Sequence, residues 1–174
     1  MALSLRPMTP SEISAFLATS RDGYVAERVA SGDDEATAAR AADETIAASF
    51  PDGKPAAGHR VFRLEEDGRP VASLWIGPAD PVQPGSWWVW DITVDEEHRG
   101  RGYGKAAMLL AEHEARANGA TVLGLNVFGT NSIARHLYES LGYQVVAIRM
   151  SKALRPGEMS VGSSGALFRS AALR

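Results

Sequence analysis

The sequence predicts a mixed α/β (α+β) sandwich, and three observations carry that prediction. Two alanine-rich stretches before residue 50 repeat their apolar residues at helical spacing. Between Arg60 and Val94 the period falls to two, as in half-buried strands. Beyond Tyr103, helical and strand patterns alternate.

Taken in order, Leu3, Leu5 and Met8 alternate with polar residues as in a short strand, and Thr9-Pro10-Ser11-Glu12 is a capping box with proline at the first helical position. The helix it starts carries Ile13, Phe16, Leu17, Tyr24 and Val25 on its apolar face. Ser31-Gly32-Asp33-Asp34 interrupts it, and a second helix runs to about Phe50, where Pro51-Asp52-Gly53 stops it. Arg60 to Glu66 and Val71 to Ile76 flank Asp67-Gly68 as an antiparallel hairpin. Ser86 to Val94, with Trp87, Trp88 and Trp90, is the strongest strand and is expected at the centre of the sheet. If that strand is regular, its tryptophans alternate between faces. A helix from Tyr103 to Asn118, a strand from Thr121 to Phe128 and a helix capped by Asn131 follow. Gly142 ends that helix, whose apolar face is Ile133, Ala134, Leu137, Tyr138 and Leu141, and Tyr143 to Met150 reads as a final strand.

With 174 residues, the chain suits one core, expected over residues 1–152. Residues 153–174, broken by Pro156, Gly157, Gly162 and Gly165, read as a flexible tail. Hydrophobic residues at 45% and charged residues at 22% exclude a wholly disordered chain. A net charge of -3 gives no field for tracking a phosphate backbone, so nucleic acid is not expected as a partner. The absence of cysteine excludes disulfides and any acyl-enzyme thioester. Arg6 and Pro7 interrupt any signal-peptide core, and no apolar run approaches the roughly 18 residues of a membrane span, so a cytoplasmic location off the membrane is expected. The scattered histidines His59, His98, His113 and His136 point to no metal.

The chemistry concentrates in Arg99-Gly100-Arg101-Gly102-Tyr103-Gly104-Lys105, between a strand and a helix. Backbone N–H groups and the positive end of the helix converge there, glycine permits positive φ, and three cations stand without an acid among them. A phosphate-bearing ligand fits, although a tight turn needs glycine for its own sake. A Walker loop fails because Arg99 stands where it needs glycine and Ala106 where it needs Ser or Thr. The relaxed dinucleotide fingerprint Gly102-x-Gly104-x-x-Ala107 is met, but Thr121 to Phe128 ends without a ribose-binding acid, so a nicotinamide or flavin oxidoreductase is the weaker alternative.

Asp91-Ile92-Thr93-Val94 leading into Arg99-x-x-Gly102-x-Gly104, then a helix, then Asn131-x-x-Ala134-x-x-Leu137-Tyr138-x-x-x-Gly142-Tyr143, resembles the GNAT superfamily of acetyl-CoA-dependent N-acetyltransferases. The resemblance covers Trp88 to about Met150. It implies a mostly antiparallel sheet with a central V-shaped splay and transfer of acetyl from acetyl-CoA to a primary amine in a ternary complex, with no metal. It also implies that Arg99, Gly100, Arg101, Gly102, Tyr103, Gly104 and Lys105 hold the coenzyme pyrophosphate, while Ile92, Thr93 and Val94 offer their backbone to the pantetheine arm.

Tyr138 matches the position of the family's general-acid tyrosine, although its place on an apolar helix face also suits a core residue. Asn131 matches a pantetheine-binding position and also suits a plain helix cap; Asn126, expected on the strand opposite Ile92 to Val94, suits coenzyme, substrate or only a neighbouring strand. No family position fixes the base. Asp91 leads as base or amine anchor, with a strand-end carboxylate as the plainer alternative and Glu96 and Glu97 behind it. Tyr24 and Glu27 lie where the superfamily places its acceptor-site helices. The acceptor is a small-molecule or peptide amine, and a homodimer stays open. A module of the same fold that binds acyl-CoA without turnover is the other alternative.

Overall fold

The computed structural model describes residues 3–80, 82, 83, 85–150 and 152. The chain divides into a compact unit over Met1–Tyr143 and a second from Gln144 to Arg174. Residues 153–174, expected as a tail, lie outside the described residues.

In the first unit, β1 (Leu3–Pro7) leads to α1 (Pro10–Ala30) and α2 (Glu35–Ser49). The capping box forms: Thr9 accepts from the Glu12 N–H while the Glu12 carboxylate accepts from the Thr9 N–H at 2.8 Å. Next come β2 (Arg60–Glu66), β3 (Arg69–Pro78), β4 (Ser86–Val94), α3 (Tyr103–Ala117), β5 (Val122–Leu125) and α4 (Ser132–Ser140). Asp67 and Gly68 both take positive φ in the β2–β3 turn, the twist that a two-residue hairpin loop requires.

The five strands lie in the order β1-β2-β3-β4-β5, antiparallel up to β4, with β4 and β5 parallel. β3, not β4, is therefore the middle strand; its run from Val71 to Gly77 is wholly buried, while β4 is buried only at Trp87 and Val89. One face of the sheet packs Phe62, Leu74, Ile76, Trp87 and Val89 against Met108, Ala111 and Ala115 of α3. The opposite face packs Val61 and Trp75 against Ile13 and Phe16 of α1 and against Phe50.

Two features of the sheet position the site. β4 pairs with β5 only over Ser86–Val89, so from Trp90 to Val94 it has β3 on one side and no strand on the other among the described residues. This is the expected splay. A β-bulge also interrupts the β3–β4 ladder: Trp75 faces Asp91, Ile76 faces Val89, and Trp90 has no opposite number. The alternation holds from Trp87 through Val89 to Trp90, with Trp87 and Val89 on one face and Trp90 on the other, and the bulge then keeps Asp91 on the Trp90 side. Trp87 is core, Trp88 lies against Gly124, and Trp90 stacks on Trp75 at 5.5 Å.

Two sequence expectations need correcting here. β5 stops at Leu125, so Asn126 is beyond the strand and does not stand across from Ile92 to Val94. Residues 143–150 form no strand. Val145, Val146, Ile148 and Met150 are 60 to 96% exposed, and β-branched side chains make a strand only where a neighbouring edge takes up their backbone hydrogen bonds. Ile133 is also exposed, which narrows the apolar face of α4 to its partly buried residues. No helix of the described residues is long and apolar enough to cross a membrane.

Candidate active site

The glycine-rich turn presents an open backbone. Gly100 and Gly102 both take positive φ, and a Cβ at either would meet nothing within 4 Å, so the backbone faces open space. Gly102 stands at the N-cap of α3 without any side-chain cap, leaving the first N–H groups of the helix for a ligand. Arg99, Arg101 and Lys105 take part in no ion pair among the described residues; Arg99 Nε donates to the Val94 carbonyl at 3.3 Å. The open backbone, the uncapped helix start and the neighbouring cations are the groups that could hold a pyrophosphate.

Two residues of the turn serve the fold instead. Tyr103 turns its ring into the core beside Leu64, Val71 and Ala107, and its hydroxyl donates to Glu66 at 2.6 Å, so only its backbone is left for a ligand. A Cβ on Gly104 would stand 3.3 Å from Leu137 and 3.8 Å from Val94, so glycine permits the close approach of α3, α4 and β4.

Where β4 parts from β5, α1 and α4 bring polar groups together. The Asp91 carboxylate accepts hydrogen bonds at both oxygens, from Ser20 Oγ of α1 and from Thr93 Oγ1 at 3.0 Å. Burial nevertheless raises its pKa above the usual 3.8, with both hydroxyls pulling the other way. Glu27 is raised first by burial and then by the Asp91 charge, while the Asn131 side chain lowers it. Tyr138 is raised above 10.0 by burial and then by Asp91 and Glu27.

Thus Asp91, Glu27, Asn131 and Tyr138 form one electrostatically connected group. Asn131 also caps α4, with Oδ1 accepting from the Ala134 N–H at 3.1 Å. Tyr24 packs edge-on against Phe128 at 6.2 Å and lies under the Arg28 guanidinium. Glu96 and Glu97 lie in a separate turn after β4 and are exposed.

A cleft of about 290 Å³ opens between α1 and the sheet, bordered by Glu12, Phe16 and Ser20 on one side and by Arg63, Ser73 and Thr93 on the other. Arg63 spans its floor, donating to Ser73 and to Asp95, the latter at 2.6 Å. Ser20 and Thr93, which border the cleft, are the two residues that hold Asp91. Sequence reasoning missed Ser20 and the cleft. The available signal was helical phase, because Ser20 shares with Phe16, Tyr24 and Glu27 the stripe of α1 that faces the sheet. Among the described residues, no group of three or more His, Asp or Glu side chains is placed to hold a metal ion.

Residues 24–143 match the model of the acetyltransferase (GNAT) family, and the chain belongs to that family. It is similar to the uncharacterised N-acetyltransferases YdgE and YycN of Bacillus subtilis strain 168. Each is 31% identical over 157 residues, covering 88% of this chain and 99% and 100% of theirs. The crystal structure of YycN superposes with a TM-score of 0.79 at 30% identity, over 88% of this chain and 99% of that one. A structure of aminoglycoside N-acetyltransferase AAC(6′)-Iy in complex with CoA shares the fold, with a TM-score of 0.54 at 14% identity over 88% and 95% of the two chains. The protein is an acyltransferase.

Proposed function

We propose that the protein transfers an acetyl group from acetyl-CoA to a primary amine by direct attack within a ternary complex. The observation that carries the proposal is the placement of a partly buried carboxylate, Asp91, and a partly buried phenol, Tyr138, at the strand edge that β5 leaves open. The open edge of β4 from Trp90 to Val94 suits an elongated ligand held by main-chain hydrogen bonds, as in strand addition. The uncapped start of α3 suits its phosphates. AAC(6′)-Iy binds CoA on this fold.

Acetyl-CoA supplies the acyl thioester. A primary ammonium of pKa about 10.4 costs roughly 4 to 5 kcal/mol to deprotonate at neutral pH, so a base is required. Asp91 first takes one proton from the acceptor ammonium at a carboxylate oxygen and passes it to solvent. The neutral amine then attacks the thioester carbon, and Asp91 takes the second nitrogen proton as the C–N bond forms, its raised pKa making it a stronger base than an exposed aspartate. Tyr138 gives its hydroxyl proton to the departing sulfur as the C–S bond breaks, and its pKa above 10.0 keeps that proton in place until then. Asp91 then releases its proton to solvent and Tyr138 regains one, which balances the cycle. The acceptor reaches Asp91 along the cleft beside α1, and Tyr24 and Glu27 follow one and two turns beyond Ser20 on the same stripe of that helix. Ile92, Thr93 and Val94 contact the pantetheine arm through their backbone and Asn131 through its amide group.

The test is release of free thiol from acetyl-CoA against a panel of small and peptide amines, with coenzyme binding followed by calorimetry. Amine-dependent thiol release is expected. Coenzyme binding without turnover of any amine overturns the reading in favour of a sensor, and NAD binding without CoA binding overturns it in favour of an oxidoreductase.

A further inference from the structure

We propose that Ser20 is a positioning residue: its hydroxyl, reaching from the middle of α1 to Asp91 on β4, holds the carboxylate in the orientation from which it accepts the substrate proton. The proposal rests on Asp91 being the base. Both oxygens of Asp91 are occupied by hydroxyl donors from two different elements, Ser20 on Oδ2 and Thr93 on Oδ1. A carboxylate held at one oxygen swings about its χ2 torsion, which has a broad, roughly two-fold preference; held at both, it is fixed in plane and rotation.

The Thr93 contact is local, two residues along the same strand, and moves with Asp91. Ser20 is 71 residues away in sequence and ties the carboxylate to a second element. That element is the helix whose next turns carry Tyr24 and Glu27, so one rigid rod sets both the acceptor-facing side chains and the base. The bulge at Trp90 makes the contact available by placing Asp91 opposite Trp75, which packs beneath α1.

Among the described residues no cation is paired with Asp91. The nearby arginines of α1, β1 and β2 are engaged elsewhere: Arg6 with Glu12 and Glu65, Arg21 with Asp43, Arg28 with Asp33 and Arg63 with Asp95. The ionisable groups that influence or sense Asp91 from the other packed elements are Glu27 and Tyr138. The bond is therefore made by a neutral donor, which orients the carboxylate without neutralising it and leaves it able to take a proton.

The experiment compares Ser20→Ala, Ser20→Thr, Asp91→Asn and the Ser20→Ala/Asp91→Asn double variant for kcat, KM, coenzyme affinity, melting temperature and the pH profile of kcat/KM. Ser20→Ala is expected to lower kcat about tenfold with coenzyme affinity unchanged. It should also move the acid limb of kcat/KM to higher pH, because a hydrogen bond that favours the charged carboxylate is gone. Ser20→Thr restores most of the rate. In the Asp91→Asn background the Ser20 change has no further effect on kcat, since it acts through the carboxylate. A Ser20→Ala variant with wild-type kcat beside an inactive Asp91→Asn overturns the positioning role and leaves Asp91 as the base. Losses in kcat that add in the double variant overturn it as well. An Asp91→Asn variant with wild-type turnover instead removes the assignment of the base, and the positioning role with it.

Discussion

Tyr138 senses Asp91: after burial, the nearby carboxylate is the next reason that the tyrosine hydroxyl holds its proton above the ordinary phenol value of 10.0, and Glu27 adds to it. Two acids and a phenol brought together at one strand edge push the phenol toward its protonated form. The phenol is therefore protonated at neutral pH, as a proton donor must be. The same grouping keeps the proposed base on β4 apart from the proposed acid on α4.

Replacing Tyr138 by phenylalanine removes only the hydroxyl. The ring keeps its packing near Tyr143, at 6.0 Å between centroids, so the melting temperature should hold. General acid catalysis is worth about 10²- to 10⁴-fold, and kcat should fall within that range while coenzyme affinity stays unchanged. Steady-state kinetics beside thermal melting decide the matter: a destabilised variant with wild-type kcat contradicts the assignment.

Gly102→Val tests the cradle. The backbone there sits at φ +86 with open space where a Cβ would stand, so the substitution meets no neighbour and its cost is conformational, about 1 to 2 kcal/mol for a left-handed residue. A β-branched side chain would also cover the N–H groups at the start of α3. Calorimetry should show a folded protein with coenzyme binding weakened at least tenfold.

Much of this arrangement is legible in local sequence because its causes are local. The Thr9 and Asn131 caps, the hairpin turn at Asp67-Gly68 and the positive-φ glycines at 100 and 102 depend on residues within a few positions of one another. The site is less legible because its causes are tertiary. Nothing between Ser86 and Val94 announces that Trp90 bulges from the ladder, yet that extra residue puts Asp91 opposite Trp75 on the α1 side of the sheet. The Ser20–Asp91 bond spans 71 residues, and serine on a helix stripe is silent until the opposing strand is known. Tyr103 sits in a ligand-binding motif, but the turn directs its ring into the core and only its backbone outward. Residues 143–150 have the β-branched content of a strand, yet strand formation depends on an available edge, which composition does not encode.

Gly124 and Trp88 face each other across the short β4–β5 ladder. A Cβ on residue 124 would come within 2.4 Å of the indole ring, too close for any real contact. Gly124→Ala should therefore force Trp88 outward and cost about 1 to 3 kcal/mol, as overpacking does. Because this ladder ends where β4 and β5 part, kcat should fall too. Denaturant melts with tryptophan fluorescence would report both the lost stability and the changed indole environment; an unchanged midpoint contradicts the close packing.

Asp91 carries an expected stability cost that separates its structural from its catalytic role. Burial is the main reason its carboxyl stays protonated above the usual 3.8, and the two hydroxyl donors only partly offset that cost. A group whose folded pKa lies above its unfolded value favours folding below the unfolded pKa and loses that advantage as pH rises through the folded one. At neutral pH, then, the native state holds a charged carboxylate that the unfolded chain would hydrate better. Asp91→Asn removes the charge and keeps the shape, and its amide still accepts one hydroxyl hydrogen bond. The variant should melt at a higher temperature than the wild type at pH 7, with the gap narrowing toward pH 4 as the wild-type carboxyl gains its proton. Turnover should fall to a low residual rate at every pH. Melting curves across that range read out the stability half: an asparagine variant less stable than the wild type at pH 7, with a gap that does not change with pH, would show that Asp91 supports the fold as a hydrogen-bonded anchor rather than being held there against it.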